Sequence, residues 1–246
     1  MKRIFVLLLL LTSSQFSQWI RQTTPAEVNA LLCIDFYDQN YGVAGGWQFT
    51  DDYIGKAIYT TNSGNNWIVS GLPDSVRSVV RIQMLTQTTG YLAGLYNTNI
   101  NNDPDQQRKP SRISRYPDFT EKYSGSSGLE YDFKGMFLKT SNSGQSWFKV
   151  GNLPSNIKNV VGMKFVNSST GFITAVLDNY SGNKYGILKS TNGGLLWTSL
   201  IIEDSVQLSD IFTSDGFNIY VGGVHFTSGS PNGIILRSSN SGVNWI

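Results

Sequence analysis

Two kinds of reactive side chain are nearly missing from this chain. Cys33 is the only cysteine and His225 the only histidine. A single cysteine excludes an internal disulfide. A single histidine leaves no signature for a His-based metal site or a Cys–His pair. Charge is scarce too, at 15% of residues. No apolar run approaches the roughly 20 residues of a membrane-spanning helix. The longest, Ile4 to Leu11, follows Lys2 and Arg3 and precedes a small, polar stretch from Thr12 to Gln18. That order of basic, apolar and polar segments predicts a signal peptide over residues 1–18, with export to the periplasm, the cell surface or the medium. Without Lys2 and Arg3 the 19 basic residues become 17, equal to the 17 acidic ones. A neutral chain has no global electrostatic reason to seek nucleic acid or an anionic membrane. Cys33 follows Leu32, bulkier than the small residue that precedes a lipid-attachment cysteine, and sits inside an apolar run, so it reads as a buried strand residue.

What the chain has in quantity is glycine (25 residues) and aromatics (13%), the mixture of many short strands joined by tight turns. Four segments repeat: Thr60-Thr-Asn-Ser-Gly-Asn-Asn-Trp67, Thr140-Ser-Asn-Ser-Gly-Gln-Ser-Trp147, Ser190-Thr-Asn-Gly-Gly-Leu-Leu-Trp197 and Ser238-Ser-Asn-Ser-Gly-Val-Asn-Trp245. Their tryptophans fall 80, 50 and 48 residues apart. Before each box an aliphatic residue (Ile58, Leu138, Leu188, Leu236) is followed by a polar one (Tyr59, Lys139, Lys189, Arg237), the alternation of a half-buried strand. Asn62, Asn142, Asn192 and Asn240 can fold back onto the local backbone and fix a turn. Gly64, Gly144, Gly194 and Gly242 can close it in the left-handed conformation. Each box therefore predicts a hairpin.

A second motif precedes the boxes. Val28-x-x-Leu31-Leu32-x-Ile34-x-Phe36 matches Val76-x-x-Val79-Val80-x-Ile82-x-Met84 and Ile157-x-x-Val160-Val161-x-Met163-x-Phe165. Turn glycines follow at Gly42, Gly90 and Gly171, and a shortened copy surrounds Ile211, Phe212 and Gly216. About four short strands fit each repeat, which is the blade of a β-propeller.

On these boxes the chain resembles Asp-box (BNR-repeat) propellers, in particular the secreted bacterial proteins similar to the photosystem II stability and assembly factor. The resemblance spans residues 19–246 and implies an all-β propeller of four-stranded antiparallel blades, about four of them present. All four boxes carry Asn where the family often has Asp, which keeps the turn-forming carbonyl and loses the charge. Trp19-Ile20-Arg21 resembles the strand after each box, so the N-terminus is expected to be a blade's outermost strand. Either that strand fills the edge left after Trp245 and closes four blades as a ring, or further blades follow Ile246; the second is the expectation here.

Asp-box proteins include sialidases, which need an arginine cluster, a Tyr–Glu pair and an acid Asp. Arg81-Ile82-Gln83 and Arg112-Ile113-Ser114 are superficial echoes of the sialidase Arg motif, and no two carboxylates can be paired across a glycosidic bond from spacing. The expectation is a non-catalytic, cofactor-free and metal-free scaffold that binds or assembles a protein or glycan partner. The alternative is a sialidase-like or other glycan-active hydrolase completed by blades beyond Ile246. One irregularity stands out: about 97–133 is a polar insertion, broken by Pro104, Pro110 and Pro117. Loops of that length inside compact domains are commonly functional or disordered. Within it Arg108, Lys109, Arg112, Arg115 and Tyr116 form the candidate contact for a carboxylate, phosphate or acidic partner. Asn101-Asn-Asp-Pro-Asp105 lacks the spacing of a calcium loop.

Overall fold

A computed structural model describes residues 20–50, 53–97, 133–177, 184–203, 206–226 and 230–246. Every regular element among them is a strand, and the strands form four antiparallel sheets in chain order. The first sheet is β1 (Ala30–Phe36), β2 (Gly42–Phe49), β3 (Tyr53–Thr60) and β4 (Ile68–Val69). The second is β5 (Val76–Met84), β6 (Gly90–Asn97), β7 (Phe133–Thr140) and β8 (Phe148–Lys149). The third is β9 (Ile157–Phe165), β10 (Gly171–Leu177), β11 (Lys184–Ser190) and β12 (Thr198–Glu203). The fourth has three strands, β13 (Val206–Phe212), β14 (Ile219–Phe226) and β15 (Pro231–Ser238). Each sheet is a plain meander, as the frequent turn signals require.

The register gives every sheet two faces. Ile34–Ala44–Ile58 form one cross-strand row in the first sheet, repeated as Ile82–Leu92–Leu138, Met163–Ile173–Leu188 and Ile211–Val221–Leu236. These rows mark the back face. One residue along, Cys33–Gly45–Ala57, Arg81–Ala93–Phe137 and Gly162–Thr174–Ile187 mark the front face, with Gly222 and Ile235 in the fourth sheet.

Three apolar clusters join the sheets, and each packs the front of one sheet on the back of the next. Val43 and Ala57 meet Ile82, Leu92, Leu138 and Trp147. Tyr91, Ala93 and Phe137 meet Met163, Ile173, Leu188 and Trp197. Phe172 and Ile187 meet Ile211 and Val221, flanked by Leu236 and Trp245. The middle cluster is rich in rings: Tyr91 stacks on Phe165 at 4.0 Å, and Trp197 stands edge-on to Phe137 at 5.4 Å. A sheet apolar on both faces has to be covered on both, and the two middle sheets are.

The outer faces of the series are not covered in this way. Front-row Ile235 is 74% exposed where Phe137 and Ile187 are 1% and 0%. Back-row Ile34 is 59% exposed where Ile82, Met163 and Ile211 are 9%, 8% and 4%.

Residues 20–25 form no strand and do not pair with β15. Gln22 instead lies on the first box, its Nε2 donating to the Ser63 carbonyl (3.2 Å) and its Oε1 accepting from the Trp67 indole (3.0 Å). The first register position beside β15 is held by Ile246, which exchanges two backbone hydrogen bonds with Arg237 (2.8 and 2.9 Å). Among the described residues, Ile20 makes no closure of the ring at that edge, and Trp19 lies outside them. The reason is local: Gln22 has partners on the first box, and Ile246 already takes the place.

Candidate functional site

The boxes are built alike down to single hydrogen bonds. In the first, Thr60 Oγ1 donates to Asn62 Oδ1 (3.0 Å) and accepts from the Gly64 N–H (3.0 Å), while Asn62 Oδ1 also accepts from the Asn66 N–H (2.9 Å). The same three bonds recur around Asn142, Asn192 and Asn240. The leading hydroxyl and the Asn carbonyl thus satisfy backbone donors that a tight turn would leave buried. Two consecutive residues, not one, take the left-handed conformation: Ser63 and Gly64 (φ 62° and 80°), Ser143 and Gly144 (61° and 82°), Gly193 and Gly194 (72° and 87°), and Ser241 and Gly242 (61° and 87°). The indoles of Trp197 and Trp245 tie back to the carbonyls of Gly194 and Gly242 (3.1 and 3.0 Å). With every Asn oxygen so engaged, the boxes serve the fold.

Turns join the first two strands of each sheet just ahead of Gly42, Gly90 and Gly171 and around Gly216, where the sequence predicts them, but the side chains that fix them are not evident from it. Asp38, Thr86, Asn167 and Asp215 each accept two backbone N–H bonds from the residues that follow. Those turns then accept from the boxes: the N–H groups of Ser63, Ser143, Gly193 and Ser241 donate to Asn40, Thr88, Ser169 and Phe217 carbonyls. Hydrogen bonds from the Asn218 side-chain amide, and then from the Asn218 and Phe217 N–H groups, pull the Asp215 carboxyl down to about 2.

One polar position on the inner strands also has a repeated task. Asp35 Oδ2 accepts from the Met84 N–H (2.6 Å) of the next sheet. Gln83, its counterpart, accepts from the Phe165 N–H (2.7 Å) and donates to the Phe165 carbonyl (2.9 Å). Lys164 comes next and lies over the Phe212 ring (5.7 Å). Alternation alone reads these residues as solvent-facing. Their shared place in the repeat was the signal that they span the seams. Burial raises the Asp35 carboxyl above its ordinary value, against the Met84 hydrogen bond and the nearby Lys164. Beside it the Cys33 thiol is held near the carbonyls of Gly45 (3.6 Å) and Val79 (3.9 Å). The residue as a whole is half-buried, but burial of the sulfur pushes its pKa up to about 12, leaving an inert thiol.

The hairpin end, opposite the boxes, is built differently. There the middle two strands of each sheet join through connections of very unequal length. β2 ends at Phe49 and β3 begins at Tyr53, whereas β6 ends at Asn97 and β7 begins at Phe133. The corresponding gaps in the last two sheets run from Leu177 to Lys184 and from Phe226 to Pro231. Aromatic and cationic side chains flank these connections: Tyr53 is 5.2 Å from both Trp47 and Phe49, and Lys149 lies over Tyr96 (5.7 Å). Arg108, Lys109, Arg112, Arg115 and Tyr116, in sequence between β6 and β7, lie outside the described residues. Among the described residues no three His, Cys, Asp or Glu side chains gather where a metal ion would sit, and no helix is long and apolar enough to cross a membrane.

No protein-family model matches the chain, and no curated protein sequence matches it. Among solved structures it is similar to the crystal structure of the GH74 xyloglucanase from Xanthomonas campestris, with a TM-score of 0.39 and 11% identity, over 84% of this chain and 36% of that one. The chain itself shows an all-β fold of four antiparallel sheets packed front to back. The chain spans little more than a third of that enzyme's length.

Proposed function

We propose that the chain is a non-catalytic β-propeller module of the Asp-box type, exported from the cytoplasm, that holds a protein or glycan partner at its hairpin end. The observation that carries this reading is the contrast between its two ends. At the box end four copies repeat the same hydrogen bonds, and Asp35, Asp38, Asp210 and Asp215 all accept from backbone N–H groups. At the hairpin end the connections differ in length, and half-buried Trp47 and Tyr96 and exposed Lys149 stand beside them, with Tyr53 buried against Trp47. Binding residues collect on variable loops held by a rigid scaffold, and aromatic rings with cations suit sugar faces and acidic peptides. Residues 98–132, with Arg108, Lys109, Arg112, Arg115 and Tyr116, supply the main contact.

A glycan array and photo-crosslinking to envelope proteins of the expressing cell test this reading. Both are repeated with an Arg108→Ala, Arg112→Ala, Arg115→Ala triple variant and with residues 98–132 replaced by a short Gly-Ser bridge. At least one partner is expected to disappear in both variants while the melting temperature holds. Partners retained in full by the bridged variant overturn the assignment of the site. Turnover of an array glycan, abolished by an Asp or Glu substitution, overturns the non-catalytic reading.

A further inference from the structure

We propose that the box end of the two middle sheets docks on an anionic lipid surface, with the tip of the third box entering the bilayer interface. The inference goes beyond the reading above, which concerns the opposite end. Its first support is a tip that the box does not need. The two residues before the box tryptophan are Asn65-Asn66, Gln145-Ser146 and Val243-Asn244 in the first, second and fourth boxes, and Leu195-Leu196 in the third. The box uses only backbone from this place. The Leu196 N–H donates to Asn192 Oδ1, as those of Asn66, Ser146 and Asn244 do to their own Asn. The two leucine side chains point outward, 53% and 71% exposed. The chain after β8 runs up to this tip: a Cβ on Gly151 would sit 2.9 Å from Leu195 Cα, and Phe148, three residues earlier, is 47% exposed. Single surface leucines need no explanation, but a paired apolar tip that the fold does not use marks a contact.

The second support is a separation of charge that the chain's overall neutrality hides. Residues 76–97, 133–177 and 184–203, the described parts of the two middle sheets, contain nine lysines and arginines and one acid. That acid is Glu203, at the hairpin end of β12. The end sheets carry the opposite balance, with Asp35, Asp38, Asp210 and Asp215 at their box ends. The box-end turns of the middle sheets, residues 86–89, 141–146, 167–170 and 191–196, hold no carboxylate at all. Lys139 and Lys189 immediately precede the two boxes, their ammonium groups over the rings of Tyr91 (5.7 Å) and Phe172 (5.4 Å). Lys139 is also the cross-strand partner of Phe148, and exposed Lys149 follows that residue. Lysines thus flank the apolar tip. Indifference to anionic membranes holds for the net charge of the chain and not for its distribution.

A bilayer suits this surface better than a folded partner. The tip of a tight turn offers no groove to a matching surface. Three exposed side chains also fall well short of the roughly 1,000 Å² of a specific protein interface. A membrane surface asks for less, because buried apolar area and the attraction of lysines to anionic headgroups add together. Either signal alone holds a protein only marginally, and here the two coincide. Docked in this way, the box end lies on the bilayer and the hairpin end faces away from it, leaving its connections open to a partner.

Co-sedimentation of the full chain, recovered after secretion, with lipid vesicles tests the docking. The wild type is expected to pellet with vesicles of mixed phosphatidylcholine and phosphatidylglycerol, less so as salt is raised, and little with phosphatidylcholine alone. Leu195→Asn combined with Leu196→Asn gives the third box the tip of the first. That variant is expected to bind at least about tenfold more weakly, the fold-change for losing a buried leucine, with its melting temperature unchanged. Replacing residues 98–132 by the Gly-Ser bridge is expected to leave vesicle binding as it was, so this outcome is separable from that of the hairpin-end reading. Failure to pellet with the mixed vesicles overturns the docking, as does equal pelleting with phosphatidylcholine alone. Binding kept by the double Asn variant and lost in the bridged chain moves the contact to Arg108 and its neighbours and overturns it too. So does a crosslinked protein that the double Asn variant loses while no vesicle binding is seen, which makes the tip a protein contact.

Discussion

The two middle sheets and the two end sheets have nearly the same sequence pattern and different surroundings. Leu138 and Leu188 carry the pattern in the middle, Ile58 and Leu236 at the ends, and every box closes with the same hydrogen bonds. Yet the middle sheets are covered on both faces, while Ile34 and Ile235 stand open. The difference separates two sources of stability. The box belongs to its own sheet and works wherever the sheet sits. The packing of front on back belongs to a neighbour and is complete only inside the series.

Valine at the box glycines should break this comparison most strongly. Gly194 has φ 87°, and a Cβ there would run into the ring of Phe137 on the preceding sheet. Strain at a left-handed position and overpacking each cost about 1–3 kcal/mol, so Gly194→Val should lose the sum of the two. Gly64 has a similar φ but meets only the mobile end of Gln22. Gly64→Val should therefore lose the strain alone. Urea unfolding of the pair checks the order, and equal losses would mean that Phe137 gives way freely.

The leading hydroxyls should show the opposite behaviour. Thr140 and Thr60 are both buried and accept the same N–H groups within their own boxes. Leaving buried donors unpaired costs about 1–3 kcal/mol. Thr140→Val and Thr60→Val should lose similar amounts by the same measurement, since neither loss depends on a neighbouring sheet. A much smaller loss in the first sheet would place part of the box's strength in the packing around it.

The smallest expected effect lies at a seam. Burial raises the Asp35 carboxyl in the folded chain above its unfolded value. A carboxyl raised in this way contributes stability that is full below the unfolded pKa and is lost as pH rises through the folded pKa. Asp35→Asn keeps an oxygen for the Met84 N–H and cannot ionise. The two proteins should match in stability in acid, and the wild type should fall behind as pH rises through and just above the carboxylate range. Melting curves across that range give the answer; a wild type that gains on the variant would mean the hydrogen bond outweighs the burial.

The boxes and inner strands were legible because their chemistry is local and repeated. Gly194 and its counterparts sit at left-handed turns, and β5 and β9 span the residues that the inner-strand motif marks. The strand pattern was less exact at the start, where β1 begins at Ala30 rather than at Val28. What stayed hidden depends on the neighbour. Nothing in the alternation of Asp35 and Gln83 says that they clasp the next sheet, and nothing in Gln22 says that it lies on a box. The turns themselves were marked by their glycines, but the side chains that fix them stayed hidden for a different reason: the four turns share a function and use Asp, Thr and Asn to perform it. The proposed contact residues Arg108, Lys109, Arg112, Arg115 and Tyr116 rest on composition alone.

The central claim is that one apolar position is worth much inside the series and little at its open end. Ile187 and Ile235 occupy the same place in adjacent sheets, so a single pair of substitutions measures it. Both Ile→Ala changes are made singly in the wild-type chain, and unfolding is followed in urea. Ile187→Ala should lose about 2–5 kcal/mol, the range for truncating a fully buried aliphatic side chain, and Ile235→Ala less than about 0.5 kcal/mol, as for an exposed one. Equal losses at the two positions would contradict the account.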